Sequence, residues 1–349
     1  MVDMARNWKA VFETWTKPSS DTEAEKQANA ERMVRDAINA YEPLKTRKIK
    51  IIPQGSYRNN TNVRAESDVD ICVCCMDPYY ASYEFADYTA GDAGNVAAGY
   101  RYAELKDDVE AALVKKFGRA GVQRGKEAFD VHPNTYRVDA DVVAAFAHRR
   151  YQKKTYNYLS ADDYVYPYTE PEGTQFFRDG GGCAIINWPE QHYVNGVAKN
   201  KATNYRFKSN VRALKNLKHD MEANGSEAQK QAAKQAPSCL VECLVYNVPA
   251  FGDSDCYSMV RDVIVFCYNA TKTDEACKAW LELNEMKWLF QATQPWTRAH
   301  ANTFLLEAWR YGTGATVSSS TQKWTLLWTL SGTKFTNILK RGELWQPDL

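Results

Sequence analysis

Gln54-Gly55-Ser56-Tyr57-Arg58, running on to Ser67-Asp68-Val69-Asp70, is the stretch whose reading decides the fold. It follows an apolar run at 49–53 that reads as one strand. It ends by entering another, Val69-Asp70-Ile71-Cys72-Val73. On a strand, positions i and i+2 face the same side, so Asp68 and Asp70 point into one space. Two like charges held that close repel unless something positive lies between them. The usual partner is a divalent metal, and magnesium favours one or two carboxylates completed by substrate phosphates. Gly55 lets the backbone approach a ligand closely. The N–H groups after it and the Ser56 hydroxyl can hold phosphate oxygens, especially where 57–60 begin a helix. A phosphate cradle beside metal-binding carboxylates points to nucleotide chemistry.

Asn134-Thr135-Tyr136-Arg137-Val138-Asp139-Ala140-Asp141, continuing through Phe146, has a long strand pattern with two acids of the same parity. From the residues alone, either Asp139 or Asp141 could complete a metal site.

The Gly-Ser pair, the spacer and the Ser-Asp-Val-Asp strand resemble the signature of the DNA polymerase β-like nucleotidyltransferase superfamily. The wording of 54–70 most resembles the bacterial CD-NTases, relatives of cyclic GMP-AMP synthase that make cyclic nucleotide signals in anti-phage defence (CBASS). In that family two apolar residues, often a proline, a small residue and an aromatic follow the third acid. Asp141-Val142-Val143-Ala144-Ala145-Phe146 fits, with Ala144 where proline is frequent. The resemblance therefore selects Asp141 and leaves Asp139 as the fallback.

The 349 residues leave room for one large domain or two ordinary ones. The net charge of +1 excludes a polybasic or acidic tail as the organising feature, so any basic surface must be local. No apolar run of about 18 residues is present, so no membrane span is expected. The first residues lack a signal-peptide pattern, and a cytoplasmic location follows as the expectation. The nine cysteines read as reduced thiols. Cys239, Cys243 and Cys256 lack a fourth zinc ligand at convincing spacing, so Cys239 and Cys243 read as core residues of an apolar helix.

Trp8, Val11, Phe12 and Trp15 fall at helical spacing. Ser20-Asp21-Thr22-Glu23 is a capping box opening a helix over 20–40, with Ala28, Met33, Val34, Ala37 and Ile38 as its buried stripe. Residues 77–102 read as a loop whose tyrosines and Phe85 pin it down, with base stacking as the alternative. An amphipathic helix spans 103–118. Residues 149–182 read as loops, 222–236 as a polar linker, and 260–268, 275–284 and 297–311 as helices. Asn187-Trp188-Pro189-Glu190-Gln191-His192 resembles a motif beside the family's cleft, with His192 orienting a loop. Between Gln191 and His219 there are seven basic residues and no acid. Lys208, Arg212 and Lys215 share one helix face there at i, i+4, i+7. The resemblance implies that Lys215 touches the triphosphate and that Ser238 holds phosphate. It also places Cys239 where cyclic GMP-AMP synthase has a base-stacking tyrosine.

The expected fold is α+β. A nucleotidyltransferase core with a short twisted mixed sheet and an N-terminal spine helix takes 1–195. A helical lobe like that of oligoadenylate synthase takes 196–312, and a tail of unassigned role takes 313–349. The expected activity is joining NTPs, ATP and/or GTP first, into a cyclic di- or oligonucleotide with release of pyrophosphate. The rivals are transfer to an RNA, protein or small-molecule acceptor, and a non-catalytic nucleotide- or RNA-binding protein. The resemblance implies two Mg2+ ions, with Mn2+ able to substitute, held by Asp68, Asp70 and Asp141. Gly55, Ser56, Lys215 and Ser238 would bind the nucleotide. The implied partners are an effector that binds the product and a regulatory protein.

Overall fold

The computed structural model describes residues 6–313 except 64–67, 85–87, 152–153, 156–163, 166–167, 183 and 253, with main chain alone at 154–155, 164–165 and 313. The chain begins with helices α1 (Trp8–Trp15), α2 (Asp21–Asn39) and α3 (Glu42–Lys45), then strand β1 (Ile49–Pro53) and the short helix α4 (Gly55–Asn59). Next come β2 (Val69–Tyr83), α5 (Tyr102–Phe117), β3 (Val122–Arg124), β4 (Phe129–Val131), β5 (Ala140–Tyr151), β6 (Lys154–Thr155), β7 (Tyr164–Val165), β8 (Gly173–Phe177) and β9 (Ala184–Asn187). Helices α6 (Pro189–Ala202), α7 (Arg206–Asn224), α8 (Glu227–Lys234), α9 (Ser238–Tyr246), α10 (Cys256–Ala270), α11 (Asp274–Cys277) and α12 (Arg298–Thr313) follow.

The main sheet runs β1-β2-β5-β4-β3. Strands β2 and β5 are parallel and the other pairs antiparallel. Strand β5 is flanked twice on one side. Its first residues pair with β4, and Phe146–His148 pair with β8, which in turn pairs with β9. Alternation sends Val69, Ile71, Val73, Cys75, Ala140, Val142, Ala144 and Phe146 into one core with α2 and α5. Cys72, Cys74, Val143, Ala145 and Ala147 face the other side, with Ile52 and Phe176. A separate core joins α7, α8, α9, α10 and α12 around Phe207, Leu214, Leu217, Leu244 and Phe304. Phe12 of α1 packs in this helical core, not against the sheet.

Several expected elements stand where the spacing put them: β1, the 103–118 helix, and α2 with its Ser20–Glu23 capping box. On α2 the buried stripe is Gln27, Ala30, Val34, Ala37 and Ile38, whereas Ala28 is exposed.

Others differ. Residues 77–83 belong to β2 and not to a loop. A register shift between Cys75 and Tyr79 accommodates Pro78, and Tyr79–Tyr83 then resume pairing with Ala147–Tyr151. The tyrosines pack among themselves and their neighbours: Tyr80 on Phe146 and Phe177, and Tyr83 stacked on Tyr151. Phe85 lies outside the described residues. Strand β5 starts at Ala140, later than expected, and runs to Tyr151. Strand β8 occupies part of 149–182. The expected linker at 222–236 holds α8, closed by a Ser226–Gln229 capping box. Of the 275–284 segment only 275–277, the end of α11, is helical. Cys243 is buried as expected, but Cys239 is exposed. The tail from 314 lies outside the described residues, and among those described no helix is long and apolar enough to cross a membrane.

Candidate active site

The site begins at the junction of β1 and β2. Gln54 N–H donates to Asp70 O at 2.9 Å, closing the end of the strand pair. Gly55 follows with φ +65°, in the left-handed region where only glycine is unstrained. A Cβ at Gly55 would lie 1.9 Å from Asp70 Oδ2. The glycine thus supplies both an unusual dihedral and the space that the Asp70 carboxylate fills. Ser56, half-buried, stands in the first turn of α4, and its carbonyl accepts from Thr61 N–H at 3.0 Å.

Parallel pairing sets Asp70 opposite Asp141, and antiparallel pairing sets Asp141 opposite Asp130. Directly opposed residues share a face, and adjacent strands lie about 4.8 Å apart. Three neighbouring strands therefore present three carboxylates in one row. Asp70 and Asp141 are each the second residue of a strand whose next five residues are buried. The acids occupy the end of the Cys72–Val143 face, where the apolar packing stops. Asp68, just ahead of β2, is exposed. Val69 N–H donates to Asp139 O at 3.1 Å, which brings Asp139 alongside the start of β2.

This crowding has an electrostatic signature. Burial raises the Asp141 carboxyl above its ordinary range, and the charges of Asp68, Asp130 and Asp139 raise it further. A divalent cation among them would relieve that repulsion, and an all-oxygen donor set suits a hard cation. Asp130, His132 and Asp139 also bring one ligand atom each within 4.8 Å of one another. The sequence reading missed Asp130 and His132. Their signal was the apolar–acid–apolar run Phe129-Asp130-Val131, too short to place until its pairing with β5 is known.

Lys215 and Ser238 come from the helical core. The basic face of α7 does not face solvent as a charge run usually does. Arg212 is 8% exposed and Lys215 1%, and burial lowers the Arg212 guanidinium to about 10. Lys215 Nζ lies 4.0 Å from Glu242 Oε2 on α9. Ser238, half-buried, opens α9 one turn before Glu242, on the same helix face. Glu242 Oε1 accepts from Thr61 Oγ1 at 3.3 Å and from Asn59 Nδ2 at 3.4 Å. Lys215 is thereby joined to the end of the Gly55–Asn59 helix through one carboxylate. Arg58 adds a second tie, with both Glu190 oxygens on α6 within 2.8–2.9 Å of its Nη2. His192, on the same helix, sits 3.6 Å from Glu242.

A mixed sheet with carboxylates from adjacent strands, a glycine-backed turn and an appended helical core define a nucleotidyltransferase. Residues 194–313 match the cGAS/DncV-like nucleotidyltransferase C-terminal helical domain. The chain is 44% identical over 311 residues to the cyclic dipyrimidine nucleotide synthase CdnE of Legionella pneumophila, covering 88% of this chain and 99% of that one. It is 38% identical, over the same shares, to the cyclic dipyrimidine nucleotide synthase CdnE of Cecembia lonarensis. The CdnE cyclic dinucleotide synthase of Elizabethkingia meningoseptica, solved with GTP and Apcpp, superposes with a TM-score of 0.67 at 32% identity, covering 87% of this chain and 98% of that one. The chain belongs to the cGAS/DncV-like nucleotidyltransferases, the CD-NTases, enzymes that make cyclic nucleotide second messengers.

Proposed function

We propose that this enzyme joins two pyrimidine nucleoside triphosphates into a cyclic dinucleotide, releasing two pyrophosphates, as a signal in bacterial anti-phage defence read by a separate effector. The observation that carries the catalytic part is the register that sets Asp70 opposite Asp141, with Gly55 vacating the space beside Asp70. The choice of pyrimidines, over the ATP and/or GTP expected from sequence, rests on the two CdnE relatives that are dipyrimidine synthases.

Asp68, Asp70 and Asp141 would hold two magnesium ions, whose charge, when bound, offsets that of the triphosphate and of the departing pyrophosphate. The Asp141 carboxylate takes the proton of the attacking ribose hydroxyl. The ribose oxygen bonds to the α-phosphorus of the second NTP as the bond from that phosphorus to the bridging oxygen breaks. The Ser56 hydroxyl and the backbone freed by Gly55 hold the triphosphate, and Lys215 and Ser238 steady it from the helical side. A second round closes the ring. A two-lobe division near residue 195 would set the nucleotides between the acid face and α7 and α9.

The test is purified full-length protein with all four labelled NTPs and magnesium, then phosphatase, chromatography and mass spectrometry. A phosphatase-resistant species with the mass of a cyclic dipyrimidine is expected. A cyclic product containing purines overturns the base assignment. Label transferred only to added RNA, protein or a small-molecule acceptor overturns ring synthesis.

A further inference from the structure

Glu242 is 3% exposed, yet polar groups from three helices and a turn converge on it. Thr61 Oγ1 and Asn59 Nδ2 donate to Oε1 from the end of α4 and the turn after it. His192 Nε2 on α6 stands 3.6 Å from the same oxygen, and Lys215 Nζ on α7 stands 4.0 Å from Oε2. The packing leaves little slack. A Cβ at Gly196 of α6 would come within 3.3 Å of Asn59 Oδ1, so α6 closes directly on Asn59. Arg212 Nη1 donates to Asn60 O at 2.6 Å from the other side.

Two buried opposite charges are a poor way to gain stability, because desolvating them offsets most of their attraction. What such a group does well is fix where its partners sit. Glu242 bridges the two halves of the phosphate cradle. On one side it holds the residues that end the Gly55–Ser56 helix, and on the other the ammonium of Lys215.

We propose that Glu242 is a positioning residue for the NTP triphosphate, its one carboxylate setting both the turn that carries Gly55 and Ser56 and the place of the Lys215 ammonium. The inference rests on the reading above that Ser56 and Lys215 meet the phosphates.

Steady-state kinetics of product formation, together with calorimetric binding of non-hydrolysable UTP and CTP analogues, test it on the full chain. Glu242→Gln keeps the side-chain volume and an acceptor for Thr61 but loses the charge facing Lys215. We expect its KM and analogue Kd to rise about tenfold while kcat stays within about threefold. Glu242→Asp, which keeps the charge, should recover much of the loss. Combined with Lys215→Met, Glu242→Gln should cost little beyond Lys215→Met alone, since both act on one interaction. A folded Glu242→Gln with wild-type KM and Kd overturns the proposal. So does a double variant whose loss is the product of the two single losses. Where Glu242→Gln does not fold, Thr61→Val reads the neutral half of the network, and an unchanged KM and Kd there overturns the proposal equally. A wild type that binds the analogues but forms no cyclic product overturns the synthase reading, and the tether is then judged on Kd alone.

Discussion

Asp141 and Glu242 are both withdrawn from water, and their surroundings push them in opposite directions. Burial raises the Asp141 carboxyl, and three more aspartates raise it further. Burial also works to raise Glu242, but His192, Lys215 and Thr61 together outweigh it and hold the carboxyl below its ordinary range. The sheet end gathers negative charge, with Asp68, Asp130 and Asp139 all acting on Asp141. The helical side surrounds a single negative charge with donors from the chain itself. A cation from outside would complete the first arrangement, whereas in the second the proposed role of the carboxylate is to position its neighbours.

The contrast can be broken by experiment, the largest effect first. The Asp68→Asn/Asp70→Asn pair should lower turnover by at least about a thousandfold, read as cyclic product formed per unit time, while circular dichroism shows the fold retained. Magnesium should raise the melting temperature of the wild type and not of this variant, which thermal scans with and without the ion would check. Glu242→Ala should cost about 3 kcal/mol of stability in denaturant titration, because the buried carboxylate that gathers Asn59, Thr61 and Lys215 is lost. Gly55→Ala should cost about 1–3 kcal/mol from the left-handed dihedral alone. It should also cut turnover, since the new methyl group takes the place of the Asp70 carboxylate.

The smallest effect lies away from both sites. His148, buried on β5, donates from Nδ1 to Gln175 Oε1 at 2.8 Å and accepts from the Ser82 hydroxyl at Nε2. Burial lowers its pKa below the ordinary 6.5, with Arg150 and Lys287 adding to the shift and the Gln175 bond opposing it. Above that pH the group is neutral in folded and unfolded chains alike. As the pH falls through 6.5, unfolded chains take up a proton that the folded chain resists, so stability is lost. The fall in melting temperature from pH 7.5 to 5.5 should be smaller in His148→Gln.

The acid face was legible where chemistry and local pattern coincide. Strand parity paired Asp68 with Asp70, while between Asp139 and Asp141 only the family resemblance of the residues that follow made the choice. Asp130 stayed hidden because its place depends on β4 pairing with β5, which a three-residue strand does not announce. The second half of β2 stayed hidden behind Pro78, which ordinarily argues against a strand interior. Here a register shift takes up the proline, and the tyrosines beyond it pack as strand residues do. The basic face of α7 was visible as a pattern, but not its direction. Buried carboxylates that neutralise such a face lie far off in sequence, as Glu242 does, so a charge run reads the same whether it meets water or a counter-charge.

Strand β5 is hydrogen-bonded to β2 along its whole length, and to β4 and then β8 on its opposite side. Sliding it by a single residue would swing Asp141 into the packing around Ile71 and Leu105 and deliver Val142 to the acid row, reversing inside and outside for every side chain on the strand. Holding it at both ends and on both sides makes that slip a break in several ladders at once. The alignment of the acids is therefore guarded by residues such as Thr174 and Gly173, far along the strand from any nucleotide. Substitutions there should scatter the active centre without touching it.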